Sequence, residues 1–145
     1  MIKITCDTNI LISALINGSG NPAKLLKLIF EKKIKLCLSP SILAELTAAL
    51  HYPHLFRKYR LNETVIQNFV KILTKKANIV SGNYQTDYLN KSDPKDNKVL
   101  ACALEGKVDF IITGDKKHLL PLKQFHKIQI LSVDDFLKLQ SKKPF

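Results

Sequence analysis

Apolar positions along this chain alternate between two patterns. Short runs dense in apolar and β-branched residues read as buried strands. They are Ile2-Lys3-Ile4-Thr5-Cys6, Ile34 to Leu38, Asp109-Phe110-Ile111-Ile112-Thr113 and Lys127 to Leu131, with Asn78-Ile79-Val80 as a shorter candidate. Between them, apolar residues recur at helical spacing. A short helix passes through Ile10, Leu11 and Leu15, and a second carries Leu25, Leu26, Leu28 and Ile29. Ser39-Pro40 caps and opens a third, running to about Leu50, where Pro53 stops it. Asn62 to Lys76 places Val65, Ile66, Phe69, Val70 and Leu73 on one side. Asp93-Pro94 begins a helix that turns Val99, Leu100, Ala103 and Leu104 inward, and Ser132 caps a last one through Phe136, Leu137 and Leu139. Gly18-Ser19-Gly20-Asn21 is a turn before Pro22, and Ser81 to Ser92 is a polar loop.

Strands separated by helices require crossovers, which predicts a mostly parallel sheet of about five strands with helices on both faces. The expected architecture is a three-layer α/β/α fold in one domain, residues 1–145. A hydrophobic content of 46% supplies its core. The apolar run Ile10 to Ile16 is interrupted by Ser13 and too short to cross a bilayer. The opening Met-Ile-Lys-Ile-Thr-Cys is not the pattern of a signal peptide, so a cytoplasmic location without membrane contact is expected. Cys6, Cys37 and Cys102 form no CxxC pair and read as reduced, buried thiols. His51 and His54 flank Pro53 with no third zinc ligand near them in sequence.

Charge adds a partner class. Lys and Arg number 23 against 12 Asp and Glu, a formal +11, in small clusters such as Arg57, Lys58 and Arg60 or Lys116 and Lys117. Such a surface attracts a polyanion, because each neutralised phosphate releases counterions.

Four acids fall where an open parallel sheet binds ligands, outside the carboxyl ends of its strands. Asp7 ends the first strand and Asp115 follows the strand at Phe110 to Thr113. Glu45 borders the apolar stripe of its helix, with Ile42 and Ala49 beside it, and Asp96 heads the stripe of Val99, Leu100 and Ala103. Converging carboxylates repel unless a cation lies between them. Oxygen-only ligation suits a hard ion, magnesium or manganese. In basic surroundings the fitting chemistry is phosphodiester hydrolysis. Each acid also has a plain structural role open to it. Asp7 and Asp115 can cap the segments that follow, Asp96 suits a helix's first turn, and Glu45 can pair with a lysine.

The ordered set of motifs resembles the PIN-domain family. Asp7-Thr8-Asn9 resembles its opening DxN, and Ser39 to Leu46 resembles its second motif with the glutamate. Asp93-Pro94-Lys95-Asp96-Asn97, followed by Ala101 to Leu104, is similar to the third, and Asp109 to Asp115 resembles the fourth with its TGD. The resemblance implies that Asp7, Glu45, Asp96 and Asp115 bind Mg2+ or Mn2+, with Asn9 and Thr113 supporting and Asp93 acting as a cap. It also implies RNA as substrate, a role as toxin of a toxin–antitoxin pair with an antitoxin partner, and a homodimer. A different class of function on the same fold is a non-catalytic RNA- or partner-binding module, which metal dependence would separate from the nuclease. A dehalogenase-like phosphatase is disfavoured because Asn9 stands where its second Asp is needed.

Overall fold

A computed structural model describes residues 1–83 and 94–142, the side chains of residues 94–96 excepted. The described elements are β1 (Lys3–Cys6), α1 (Thr8–Ile16), α2 (Asn21–Phe30), β2 (Lys35–Leu38), α3 (Pro40–Leu50), α4 (Pro53–Lys58) and α5 (Glu63–Lys76). They continue with β3 (Asn78–Ile79), α6 (Pro94–Gly106), β4 (Phe110–Ile112), a 3-10 turn at Leu120–Leu122, β5 (Gln124–Phe125), β6 (Ile128–Leu131) and α7 (Val133–Lys142). No described helix is long and apolar enough to cross a membrane.

The strands form one sheet in the order β3-β2-β1-β4-β6-β5. Every neighbouring pair is parallel except β5 with β6. The chain builds outward from β1 to β3, then returns to lay β4 on the other flank of β1. Strand order therefore reverses between β1 and β4, which pair with Cys6 opposite Ile112.

The pleat sorts side chains into two apolar layers. Thr5 faces α6, where its hydroxyl contacts the Cys102 thiol, and Cys37 lies against the same helix at Gly106. The alternate residues face the other way, and there Phe110 of β4 meets Phe136 of α7 edge-on, ring centres 5.5 Å apart. Helices thus cover both faces, as the crossover pattern predicts. Cys6, Cys37 and Cys102 are free, buried thiols. Burial pushes the Cys102 thiol up to about 11, so it is unreactive at neutral pH.

Helix starts follow the sequence closely. Ser39 Oγ accepts from Ile42 N at 3.2 Å, Asn62 Oδ1 from Val65 N at 2.9 Å, and Ser132 Oγ from Asp135 N at 3.1 Å. Two features depart from expectation. Pro53 does not merely terminate α3, which ends at Leu50; it occupies the first turn of the short helix α4, where a missing N–H costs nothing. The polar loop lies partly outside the described residues, at 84–92, as does Asp93. Its start is held by Glu105 of α6, whose carboxylate accepts from the Ser81 hydroxyl and, at 3.0 Å each, from the Ser81 and Gly82 amides.

The second departure is β5, which makes a sixth strand through a two-residue hairpin. His126 and Lys127 both take positive φ, 49° and 67°, as a type I′ turn demands. Neither residue suits that backbone, and left-handed conformations cost about 1 kcal/mol or more for residues with a Cβ. Replacing the pair by Asn-Gly (His126→Asn with Lys127→Gly) is expected to raise the melting temperature by roughly 2–4 °C. A lowered melting temperature would show that the edge-on contact of His126 with Phe125, at 4.5 Å, outweighs the backbone relief.

Candidate active site

The buried run of β1 ends at Cys6, and Asp7 follows as the cap of α1, its Oδ1 accepting from Ile10 N at 3.1 Å. Its other oxygen is held from across the sheet. Asp7 Oδ2 accepts from Thr113 Oγ1 at 2.5 Å and from Gly114 N at 3.3 Å. Thr113 is fully buried, and the same hydroxyl accepts from Asp115 N at 3.0 Å. One threonine thus links both acids: it donates to the carboxylate of Asp7 and receives the backbone of Asp115. The link spans the reversal point between β1 and β4.

Asp115 is fixed on its far side too. Its Oδ1 accepts from Lys117 N at 2.9 Å and His118 N at 3.2 Å, and its Oδ2 stands 3.5 Å from His118 Nδ1. The capping role is real, although it closes a turn rather than a helix. Burial pushes the carboxyl of Asp7 above its ordinary value. Hydrogen bonds from Thr113, Ile10 and Gly114 pull it partly back, and the charge of Asp115 pushes it up again. Burial and the neighbouring carboxylate thus disfavour the ionised form.

Glu45 projects from α3 between buried Ile42 and Ala49, with its side chain 17% exposed. Its Oε2 lies 3.9 Å from Lys98 Nζ of α6. Asp96 occupies the first turn of that helix, two residues before Lys98; its side chain lies outside the described residues. Asn9 is exposed on α1, and among the described residues no hydrogen bond joins it to an acid. Among the described residues, too, no group of three or more His, Cys, Asp or Glu is placed to hold one metal ion. The structure brings Asp7 and Asp115 together and sets Glu45 beside α6.

The donor set fits a hard cation. Asp7 and Asp115 offer only oxygen, both are held in place by donated hydrogen bonds, and they repel each other. Two contributors escape the sequence reading, the Gly114 amide and His118 against Asp115, while the lysine open to Glu45 is Lys98. His118 and Lys98 each have a local signal, since His118 lies three residues after Asp115 and Lys98 two after Asp96. The Gly114 contact exists only because β1 and β4 are neighbours.

Comparison with known proteins places this geometry. A family model described as the PIN domain matches residues 3–117. An uncharacterized protein of Methanocaldococcus jannaschii is 46% identical over 127 residues, which cover 87% of this chain and 78% of the relative. The chain is also similar in fold to the crystal structure of VapBC2 from Rickettsia felis bound to a DNA fragment from their promoter. There the TM-score is 0.59 at 14% identity, over 89% of this chain and 97% of that one.

Proposed function

The chain belongs to the PIN-domain family, whose members are generally nucleases that use divalent metal ions, and from that premise we propose that it is an endoribonuclease dependent on Mg2+ or Mn2+. Residues 1–145 act as one catalytic domain, and Asp7, Glu45, Asp96 and Asp115 hold the ion. The observation that carries the reading is the pair Asp7–Asp115, oriented through Thr113 at the strand-order reversal.

In this reading the bound ion lowers the pKa of a water and offsets charge on the phosphate oxygens. The chain's own residues do the rest. Thr113, Ile10 N and Gly114 N hold the Asp7 carboxylate in one orientation, so little reorganisation is needed on substrate arrival. Lys117 N and His118 N do the same for Asp115. Lys98, beside Glu45 and 42% exposed, is available to a phosphate at the mouth of the site.

The fold likeness to the Rickettsia felis VapBC2 structure supports a further part of the proposal. This chain acts as the toxin of a toxin–antitoxin pair, held by a protein antitoxin. A homodimer and a cytoplasmic location belong to the same reading.

A non-catalytic binding module is the second reading, and one observation favours it. Each described acid already has structural work: Asp7 caps α1, Asp115 closes a turn and Glu45 pairs with Lys98. The two readings separate on incubating end-labelled RNA and single-stranded DNA with manganese, magnesium or EDTA, beside Asp96→Asn. The nuclease reading expects cutting of RNA that needs the metal and disappears in the variant. Wild-type protein that binds RNA but cuts nothing in either metal would establish the binding module instead.

A further inference from the structure

The segment from His51 to Arg60 contains no Asp or Glu and carries Arg57, Lys58 and Arg60. Its helix α4 has no fully buried residue. Leu55 and Phe56 are half-buried against the core and anchor it, which leaves the remaining face outward. Two tyrosines cap its ends, Tyr52 before its first turn at 46% exposure and Tyr59 after its last at 38%. Their neighbours already show how these rings bind flat and charged groups: Tyr52 stacks on His54, and Lys58 Nζ lies 5.4 Å from the centre of the Tyr59 ring.

The position of α4 follows from topology. β3 is parallel to β2, so α5, the helix leading into β3, returns against the strand direction. Its 14 residues span roughly 21 Å, so Glu63 stands about that far from the start of β3. His51, at the end of α3, pairs with Glu63 and pins that helix to the start of α5. The excursion through α4 hangs from this clasp. From Glu45 to the end of α3 at Leu50 the helix rises only about 8 Å, so α4 begins within a few nucleotides of Glu45.

We propose that α4 is a docking platform for single-stranded RNA, gripping the strand beside the scissile bond. Tyr52 and Tyr59 stack on bases, and Arg57, Lys58 and Arg60 neutralise the phosphates between them. This deepens the nuclease reading and rests on it for the presence of a scissile bond, although not for binding itself. A single strand fits better than a duplex because only unpaired bases offer a free face to an exposed ring. The α2–α7 groove, about 530 Å3 in volume, fits less well: Glu31 and Asp134 stand among Lys24, Lys27 and Lys138 there.

The test is fluorescence anisotropy in EDTA, where metal-dependent cutting stops, with a labelled single-stranded RNA of about 12 nucleotides and a duplex of the same length. Tyr52→Ala with Tyr59→Ala is expected to weaken single-strand binding tenfold or more, while Tyr52→Phe with Tyr59→Phe keeps wild-type affinity, since the ring is retained. Arg57→Ala, Lys58→Ala and Arg60→Ala together should flatten the slope of log affinity against log salt by about 2. A charge-matched control, Lys33→Ala with Lys71→Ala and Lys75→Ala, should bind as the wild type does. Circular dichroism confirms that each variant is folded.

Equal loss in the control, or unchanged RNA binding by the α4 variants, overturns the proposal. If those variants keep RNA affinity but dissociate a wild-type dimer, the face joins two copies of the chain instead. A wild type that cuts nothing would sink the nuclease reading alone; ring-dependent RNA binding would still establish the platform.

Discussion

Asp7→Asn is expected to abolish cleavage, about 10³-fold or more, while leaving a protein at least as stable as the wild type at neutral pH without divalent metal. The loss follows from removing an anionic ligand where several kcal/mol of charge stabilisation is needed. The stability follows from the raised carboxyl of Asp7, whose main cause is burial. Between its unfolded value of about 3.9 and its higher folded value, the native state holds the extra proton. Stability therefore declines as pH rises through that window, and at neutral pH the folded protein carries an unfavourable charge. Asparagine keeps the cap on Ile10 N without that charge, at the cost of the bonds that its amide nitrogen can no longer accept from the Thr113 hydroxyl and from Gly114 N. Melting curves from pH 3 to 8 should decline over the window for the wild type and stay flatter for the variant. Added manganese should raise the melting temperature of the wild type only. A variant far less stable at every pH would show that the carboxylate is structural and return the site to the binding-module reading.

Thr113→Val should damage stability and activity together. The substitution keeps shape and removes the hydroxyl that donates to Asp7 and accepts from Asp115 N. A half-buried amide then loses its acceptor, which costs about 1 kcal/mol, the low end for such a group. The carboxyl of Asp7 rises further, because Thr113 supplies the foremost of the bonds that lower it. Metal affinity or turnover is expected to fall about 10–100-fold, the usual effect of losing a group that orients a ligand. Thr113→Ser, which retains the hydroxyl, should recover most of both. Manganese titration and thermal melting read the two losses separately, and full activity in the valine variant would remove Thr113 from the site.

What could be read in the sequence was whatever has a local signal. Asp7 stands out because it directly follows the apolar run ending at Cys6, and Asp115 because only Thr113 and Gly114 separate it from the run ending at Ile112; helix caps such as Ser39 and Asn62 announce the turns that follow them. The parallel sheet follows from alternation alone. The strand order does not, and with it goes the contact of Gly114 N with Asp7, which joins residues 107 positions apart. The hairpin at β5 escaped because His126-Lys127 adopts a backbone that Asn-Gly would have advertised. Helix α4 escaped because Pro53 both ends and begins helices, and six residues show too little periodicity to tell which. Thr113 emerged only through the family resemblance; composition and spacing give a buried strand-end threonine no special mark.

The pairing of Cys6 with Ile112 has a consequence for the chain during its synthesis. The two linked acids lie on opposite sides of most of the polypeptide and meet only when β4 docks on β1. A ribosome that has released the first hundred residues has exposed Asp7 and Glu45 but neither Thr113 nor Asp115. Whatever chemistry the pair performs is therefore withheld from the nascent chain until β4 has been made and has docked on β1.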